Sequence, residues 1–392
     1  MKSILTSTLL LCGTVGYTQW TTVPTGTTED LTTIAFANST IGLSAGKLAT
    51  AGNSLVLRTT DGGTTWATNQ AALVGVVRDI AMHSGGNALI VGDSGRVYTS
   101  SDYGDTWSNQ TAFTTTDLSA TQFISSDVIV CGDADGTLYK SLDGGITWNA
   151  TDTTFGVRIN QLFCQNNKLW LSGEGGIIAS SLDTGDSWQV YAQPYFGFFS
   201  GNGIAVFDTV GYAVSDYGFA VQYRPTLGWT SLTIPTANTI NSVASSNLLS
   251  AVIIGDNGFI YRTEDGSNWF DETYSNTTTN LIDITYIDLT TAIICGTDGT
   301  ILKTTTDISG IADHSNSYDI SLYPNPTSNG ITLRADQNIQ QVSIFDIYGK
   351  LVVAETNLQQ VNYVNVEHLQ SGIYLLRVET QNGISVLPFV KQ

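Results

Sequence analysis

Asp79, Asp117 and Asp283, together with Arg78 and Arg158, are the charged residues of this chain best placed to do chemistry. Each begins, or stands just before, an alternating apolar stretch, and these stretches come back at a regular interval. Two carboxylates facing one pocket could hydrolyse a glycosidic bond, one kept protonated as the acid and its partner kept ionised. Charged residues in such places are more often solvated or ion-paired, so ligand binding at this rim ranks above catalysis. No catalytic residue is assigned.

Other chemistries find little support. The histidines are His83, His314 and His368, and the last two lie past the repeating region, which argues against a Ser/His/Asp triad or a His-rich metal site within it. The Gly-x-x-Gly runs read as hairpin turns, not as phosphate-binding strand-to-helix junctions. The Asp133/Asp135 pair also reads as a turn, so neither a metal nor a cofactor is expected. Fifteen Lys and Arg against 34 Asp and Glu give a net charge of −19, with no basic cluster for nucleic acid. No stretch after the N-terminal segment reaches the roughly 18 apolar residues of a membrane span. Cys131, Cys164 and Cys295 each sit in an apolar run and read as small buried hydrophobes rather than a disulfide framework.

The elements that must position the charged residues are set by a tryptophan ladder. Trp66, Trp107, Trp148, Trp188, Trp229 and Trp269 follow one another at 41, 41, 40, 41 and 40 residues, and Trp20 lies 46 residues before Trp66. A fixed period near 40 with β-branched and aromatic residues alternating at period two means four short strands per unit, a propeller blade. Each unit has a Gly-rich turn between its second and third strands, as in Val91-Gly-Asp-Ser-Gly95 and Ile254-Gly-Asp-Asn-Gly258. These turns count seven. The last unit has a third strand, Gly299 to Lys303, but no tryptophan after it, whereas Gln19-Trp-Thr-Thr-Val23 is a fourth strand with no blade before it. The expected architecture is therefore an all-β, seven-bladed β-propeller closed by its N-terminal strand, which removes the exposed edges of an open array. Trp170, off the ladder, and the run Gln193-Pro-Tyr-Phe-Gly-Phe-Phe199 both read as blade packing.

The loop before each tryptophan repeats almost unchanged: Thr59-Thr-Asp-Gly-Gly-Thr-Thr-Trp66, Ser100 to Trp107, Ser141 to Trp148 and Ser181 to Trp188. Thr263 to Trp269 is one residue short, and Arg224 to Trp229 has lost its aspartate. This pattern resembles the Asp-box, or BNR repeat. The resemblance implies a structural role for Asp61, Trp66, Asp102, Trp107, Asp143, Trp148, Asp183, Trp188, Asp265 and Trp269, away from any catalytic face. Over residues 20 to 306 the chain looks most like the photosystem II stability/assembly factor family. It departs from sialidases, whose arginine triad it lacks.

The tail reads differently. Ser321-Leu-Tyr-Pro-Asn-Pro, Val342-Ser-Ile-Phe-Asp-Ile-Tyr-Gly-Lys and Leu369-Gln-Ser-Gly-Ile-Tyr-Leu-Leu-Arg-Val closely resemble the type A sorting domain of the type IX secretion system of Bacteroidota, an Ig-like β-sandwich. The expected organisation is a cleaved signal peptide at 1–18, the propeller at 19–306, a polar linker at 307–317 and the sorting domain at 318–392. The resemblance implies passage through the periplasm and recognition by the secretion machinery. The protein would end as a secreted or surface-displayed monomer binding an extracellular protein or glycan, without enzyme activity. The alternative is a glycoside hydrolase or lyase using the rim carboxylates.

Overall fold

The computed structural model describes residues 20–49, 52–191, 200–273, 277–305, 321–334, 339–346, 351–356, 363–380 and 383–392. The signal segment, the Gln193–Phe199 run and the 307–317 linker lie outside them.

The repeat becomes seven four-stranded antiparallel sheets among the described residues. Six are continuous in sequence and are numbered here as blades 1 to 6: 30–74, 77–109, 118–154, 159–191, 201–233 and 240–271. The seventh takes three strands from 281–305, and Thr21–Thr22 adds the fourth by pairing with Lys303 and Leu302. Each innermost strand lies against the next, and Leu281–Tyr286 of blade 7 packs on Asp30–Phe36 of blade 1, so the ring is closed. Second strands such as Ala251–Gly255 are buried along their whole length because a neighbouring blade covers each face.

The N-terminal strand is bound by more than its ladder. Val23 N–H donates to the Ile301 carbonyl at 2.9 Å and Thr25 Oγ1 to that of Gly299 at 2.8 Å. Trp20 is 3% exposed, among Ile284, Ile294 and Leu302 of blade 7 and Val252 and Ile254 of blade 6. It fills the place that a seventh box tryptophan would fill. The regular pairing covers Thr21–Thr22, shorter than the Gln19–Val23 strand expected, and Gln19 lies outside the described residues.

The Gly-rich turns show why the sequence repeats there. In Asp93–Gly95, Ser94 and Gly95 both take left-handed φ, 56° and 68°, and Arg96 N–H closes the turn on the Asp93 carbonyl. This is the two-residue hairpin turn that matches the twist of the flanking strands. A Cβ on Gly95 would stand 2.0 Å from the Thr114 carbonyl oxygen, so sterics as well as φ require glycine.

At the opposite ends of the blades the box loops are tied by their own carboxylates. Asp61 accepts the Thr64 and Thr65 amides at 3.0 and 2.9 Å, the Thr65 hydroxyl at 2.6 Å and the Thr59 hydroxyl at 2.8 Å. Asp143 repeats this with Ile146, Thr147 and Ser141. The Thr65 hydroxyl and amide hold the Asp61 carboxyl down at about 2, and Thr147 does the same for Asp143. The short box of blade 6 keeps the scheme because Asn268 Nδ2 donates to Asp265 where a hydroxyl does so elsewhere. Blade 5, without an aspartate, leans on aromatic packing: Trp170, 1% exposed, stacks on Tyr191 and meets Tyr223 and Trp229 edge-on.

Among the described residues Cys131, Cys164 and Cys295 are free thiols. Cys131 and Cys295 are buried, but Cys164 is partly exposed and does not fit the expected buried class, because it lies near the end of its strand beside the Asn166–Asn167 turn. The tail forms a three-stranded and a four-stranded sheet around one core that includes Ile331, Val342, Ile344, Leu376 and Phe389.

Candidate functional site

Every innermost strand carries a register shift after its first or second residue, at Leu31, Val77, Leu118, Ile159, Gly201, Ile240 and Leu281. The extra residue is a β-bulge, which breaks the in–out alternation and turns the strand. Seven equivalent bulges form two rings of residues about the central channel. The bulge ring is Thr32, Arg78, Ser119, Asn160, Asn202, Asn241 and Ile282. The ring behind it is Thr33, Asp79, Ala120, Gln161, Gly203, Ser242 and Asp283. All but Ala120 and Gly203, joined by Ser200, line a polar cavity of about 310 Å³. It opens on the side of the Gly-rich turns, because the starts of the innermost strands pair with the ends of the second strands there, and the box loops lie at the far end.

Asp79 and Asp283 occupy the same ring position in blades 2 and 7, on either side of blade 1, and are held alike. Asp79 Oδ1 accepts the Thr33 hydroxyl at 3.1 Å and the Ile80 amide at 2.8 Å, while Oδ2 accepts the Thr121 amide of blade 3 at 2.8 Å. Asp283 Oδ1 accepts the Ser242 hydroxyl at 3.0 Å and the Ile284 amide at 2.9 Å, and Oδ2 accepts the Ile34 amide of blade 1 at 3.0 Å. Each carboxylate thus joins three consecutive blades. Burial pushes Asp79 up to about 7, the charge of Asp283 adding to it, and pushes Asp283 up to about 6. The three donors on each oppose that push, and both groups keep some solvent contact through the channel.

Neutral side chains clip the other blades. Ser119 Oγ donates to the Ile159 carbonyl, and Asn160, Asn202 and Asn241 donate through Nδ2 to the carbonyls of Gly201, Ile240 and Leu281. In each case the acceptor is the residue before the next blade's bulge.

Of the five charged residues expected at the rim, Arg78, Asp79 and Asp283 line the cavity. Asp117 and Arg158 do not. They precede their innermost strands and stand outside the bulge ring, Asp117 accepting the Ser94 amide at 2.9 Å and lying 3.8 Å from Arg78, and Arg158 lying 3.8 Å from Glu174. Arg78 is itself bound to Asp93 at 2.6 Å. The amides and hydroxyls of the channel escape a search for charge, although their constant offset from the Gly-rich turns marks them. Among the described residues no group of three or more His, Cys, Asp or Glu could hold a metal ion. Asp133 accepts the Asp135 and Thr137 amides and the Tyr139 hydroxyl, which accounts for that carboxylate as part of its turn.

The channel carboxylates and the box aspartates pull stability in opposite directions with pH. An acid raised by folding keeps its proton in the native state after the unfolded chain has lost it. The contribution of Asp79 and Asp283 is therefore complete below pH 4 and lost as pH climbs through 6 and 7. A tenfold change in proton affinity is about 1.4 kcal/mol, so ionising Asp79 in place costs on the order of 2 to 4 kcal/mol. Asp61 and Asp143 are lowered, and their stabilisation is lost as pH falls from 4 towards 2. Thermal unfolding from pH 3 to 8 should peak near pH 4 to 5, and Asp79→Asn should flatten the limb above pH 5. An unchanged limb would contradict the assignment.

The fold and the tail define a β-propeller joined to a secretion-sorting domain. Residues 321–392 match the secretion system C-terminal sorting domain, the mark of export by type IX secretion. Among the described residues no helix is long and apolar enough to cross a membrane. The photosystem II assembly lipoprotein Ycf48 of Prochlorococcus marinus (strain MIT 9313) is 26% identical over 141 residues, 34% of this chain and 42% of that protein, so the chain spans less than half of that relative. A solved YCF48 bound to D1 peptide superposes with a TM-score of 0.63 at 18% identity, covering 74% of this chain and 98% of the other. YCF48 from Cyanidioschyzon merolae gives 0.61 at 19% identity, covering 73% and 98%. Virginiamycin B lyase from Staphylococcus aureus gives 0.61 at 12% identity, covering 74% and 99%. At these identities the likenesses speak for the fold, which serves a peptide-bound protein and a lyase alike.

Proposed function

We propose that this chain is an exported, non-catalytic propeller whose channel face holds an extracellular protein partner. The observation that carries this reading is the equivalence of Asp79 and Asp283. General acid/base hydrolysis needs two carboxyls in unlike environments, one primed to give a proton and one ionised. Here both have the same three kinds of donor and burial displaces both upward, the Asp283 charge adding to it at Asp79, so their hydrogen-bonded surroundings do not set one apart as the acid. A carboxyl surrounded by N–H and O–H donors is also poorly placed to donate. The peptide bound by YCF48 supports a protein rather than a glycan as the ligand class.

The face is tested with photo-crosslinking residues placed at Asn202, on the channel mouth, and at Leu182, on the box loop of blade 4, in the exported protein. Asn202 should capture a discrete polypeptide that Leu182 does not. A parallel assay for sugar release from extracellular polysaccharides should show none. Sugar release lost in Asp79→Asn would instead establish the hydrolase.

A further inference from the structure

We propose that the channel mouth receives the ammonium group of a lysine side chain presented by a protein partner, with Asp79 and Asp283 as its anionic receptors. The proposal rests on the reading of the channel face as the binding face and adds the chemistry of the ligand.

The hydrogen-bonding inventory of the wall leans towards acceptors. The Nδ2 groups of Asn160, Asn202 and Asn241 are spent on main-chain carbonyls, and the hydroxyls of Thr33 and Ser242 are spent on the two carboxylates. What the wall has left is mainly acceptors, the spare donors including Gln161 Nε2 and the terminal guanidinium nitrogens of Arg78, a residue paired with Asp93 and Asp117. The amide oxygens of the three asparagines have no donor among the described residues, and each carboxylate has used three of its roughly four lone-pair positions. A cavity with spare acceptors on three asparagines and two carboxylates, and with its one arginine paired to Asp93 and Asp117, suits a group that donates and does not accept. At about 310 Å³ it is at the small end of ligand pockets and accommodates one side chain rather than a whole oligosaccharide.

The same count separates lysine from arginine. On both aspartates Oδ1 already takes two donors and Oδ2 takes one. A guanidinium needs both oxygens of a carboxylate for its forked, bidentate contact, and that is denied here. A compact ammonium with three rotatable donors can use single positions on separate groups. Outside the bulge ring the mouth adds Asp216 and Asp256, whose carboxylates accept Asn202 and Asn241, while Arg78 of the ring is engaged with Asp93 and Asp117 and Arg158 outside it with Glu174. The approach is thus lined by negative charge that favours a cationic segment.

The test is calorimetric titration of the full-length chain with end-blocked Gly-Gly-Lys-Gly-Gly and with the same peptide carrying arginine, norleucine or Nε-acetyl-lysine. The lysine peptide should bind, the arginine peptide about tenfold more weakly and the two neutral peptides not measurably, the loss expected when a buried charge goes unpaired. Asp79→Asn and Asp283→Asn should each weaken lysine binding at least about tenfold. Because either change could loosen the ring, Ile282→Lys is the second variant. It keeps both carboxylates, places a tethered ammonium at the channel wall, and should abolish peptide binding while raising the unfolding temperature. Equal binding of the norleucine peptide, no lysine binding at millimolar concentration, or an Ile282→Lys protein that binds like wild type would each overturn the proposal. If lysine fails while Asn202 still captures a polypeptide, the lysine assignment falls and the channel-face reading stands.

Discussion

Deleting Trp20 to Val23 is expected to lower the unfolding temperature of the propeller more than any other four-residue deletion in a blade's outer strand. Two losses combine. The ladder to Leu302 and Lys303 and the Val23–Ile301 bond disappear, leaving the third strand of blade 7 as a bare edge. Such an edge pairs readily with other chains, so aggregation should accompany the loss of stability. The second loss is the Trp20 side chain, which is nearly fully buried between blades 6 and 7. Trp20→Ala alone should cost about 3 to 5 kcal/mol, or roughly 10 °C in a body of this size. Leu182→Ala is the control, because Leu182 is 81% exposed and should change nothing measurable. Equal unfolding temperatures for Trp20→Ala and Leu182→Ala would show that closure contributes no stability.

Removing residues 321–392 is expected to abolish export while leaving the propeller folded. The tail core, from Ile331 to Phe389, is composed of tail residues, and the ring closes through Thr21–Thr22 without the tail. The matched sorting domain, in contrast, is the part of the chain associated with type IX secretion. The shortened protein should accumulate inside the outer membrane with an unchanged propeller unfolding temperature. Normal appearance of the shortened protein outside the cell would refute the sorting role.

These two predictions draw on what the sequence shows most clearly. Box tryptophans at 40 or 41 residues and Gly-Asp-x-Gly turns are local necessities, since a left-handed turn or a loop-capping carboxylate must be met by the residues at that place. They are therefore legible one unit at a time. Trp20 was legible as well, because a ladder with one rung missing at one end and one surplus at the other specifies closure. Asp79 and Asp283 could be found as charged residues at a strand start. Their equivalence could not, since it depends on the partners Thr33, Thr121, Ser242 and Ile34, which come from neighbouring blades. Asn160, Asn202 and Asn241 carry no such signal, because neutral amides are common in this chain and only their ring position distinguishes them.

The sequence by itself determined the repeat, the seven turns, the closing strand and the character of the tail, because each rests on residue types at fixed local offsets. The tertiary structure decided what faces the channel. A bulge adds one residue to each innermost strand without a residue type of its own: Thr, Arg, Ser, Asn and Ile all occupy it. By inserting a residue it suspends the two-residue alternation, so adjacent Arg78 and Asp79 both reach the cavity. The burial that lifts Asp79 and Asp283, and the donors that hold them, exist only once seven blades are brought edge to edge around one axis.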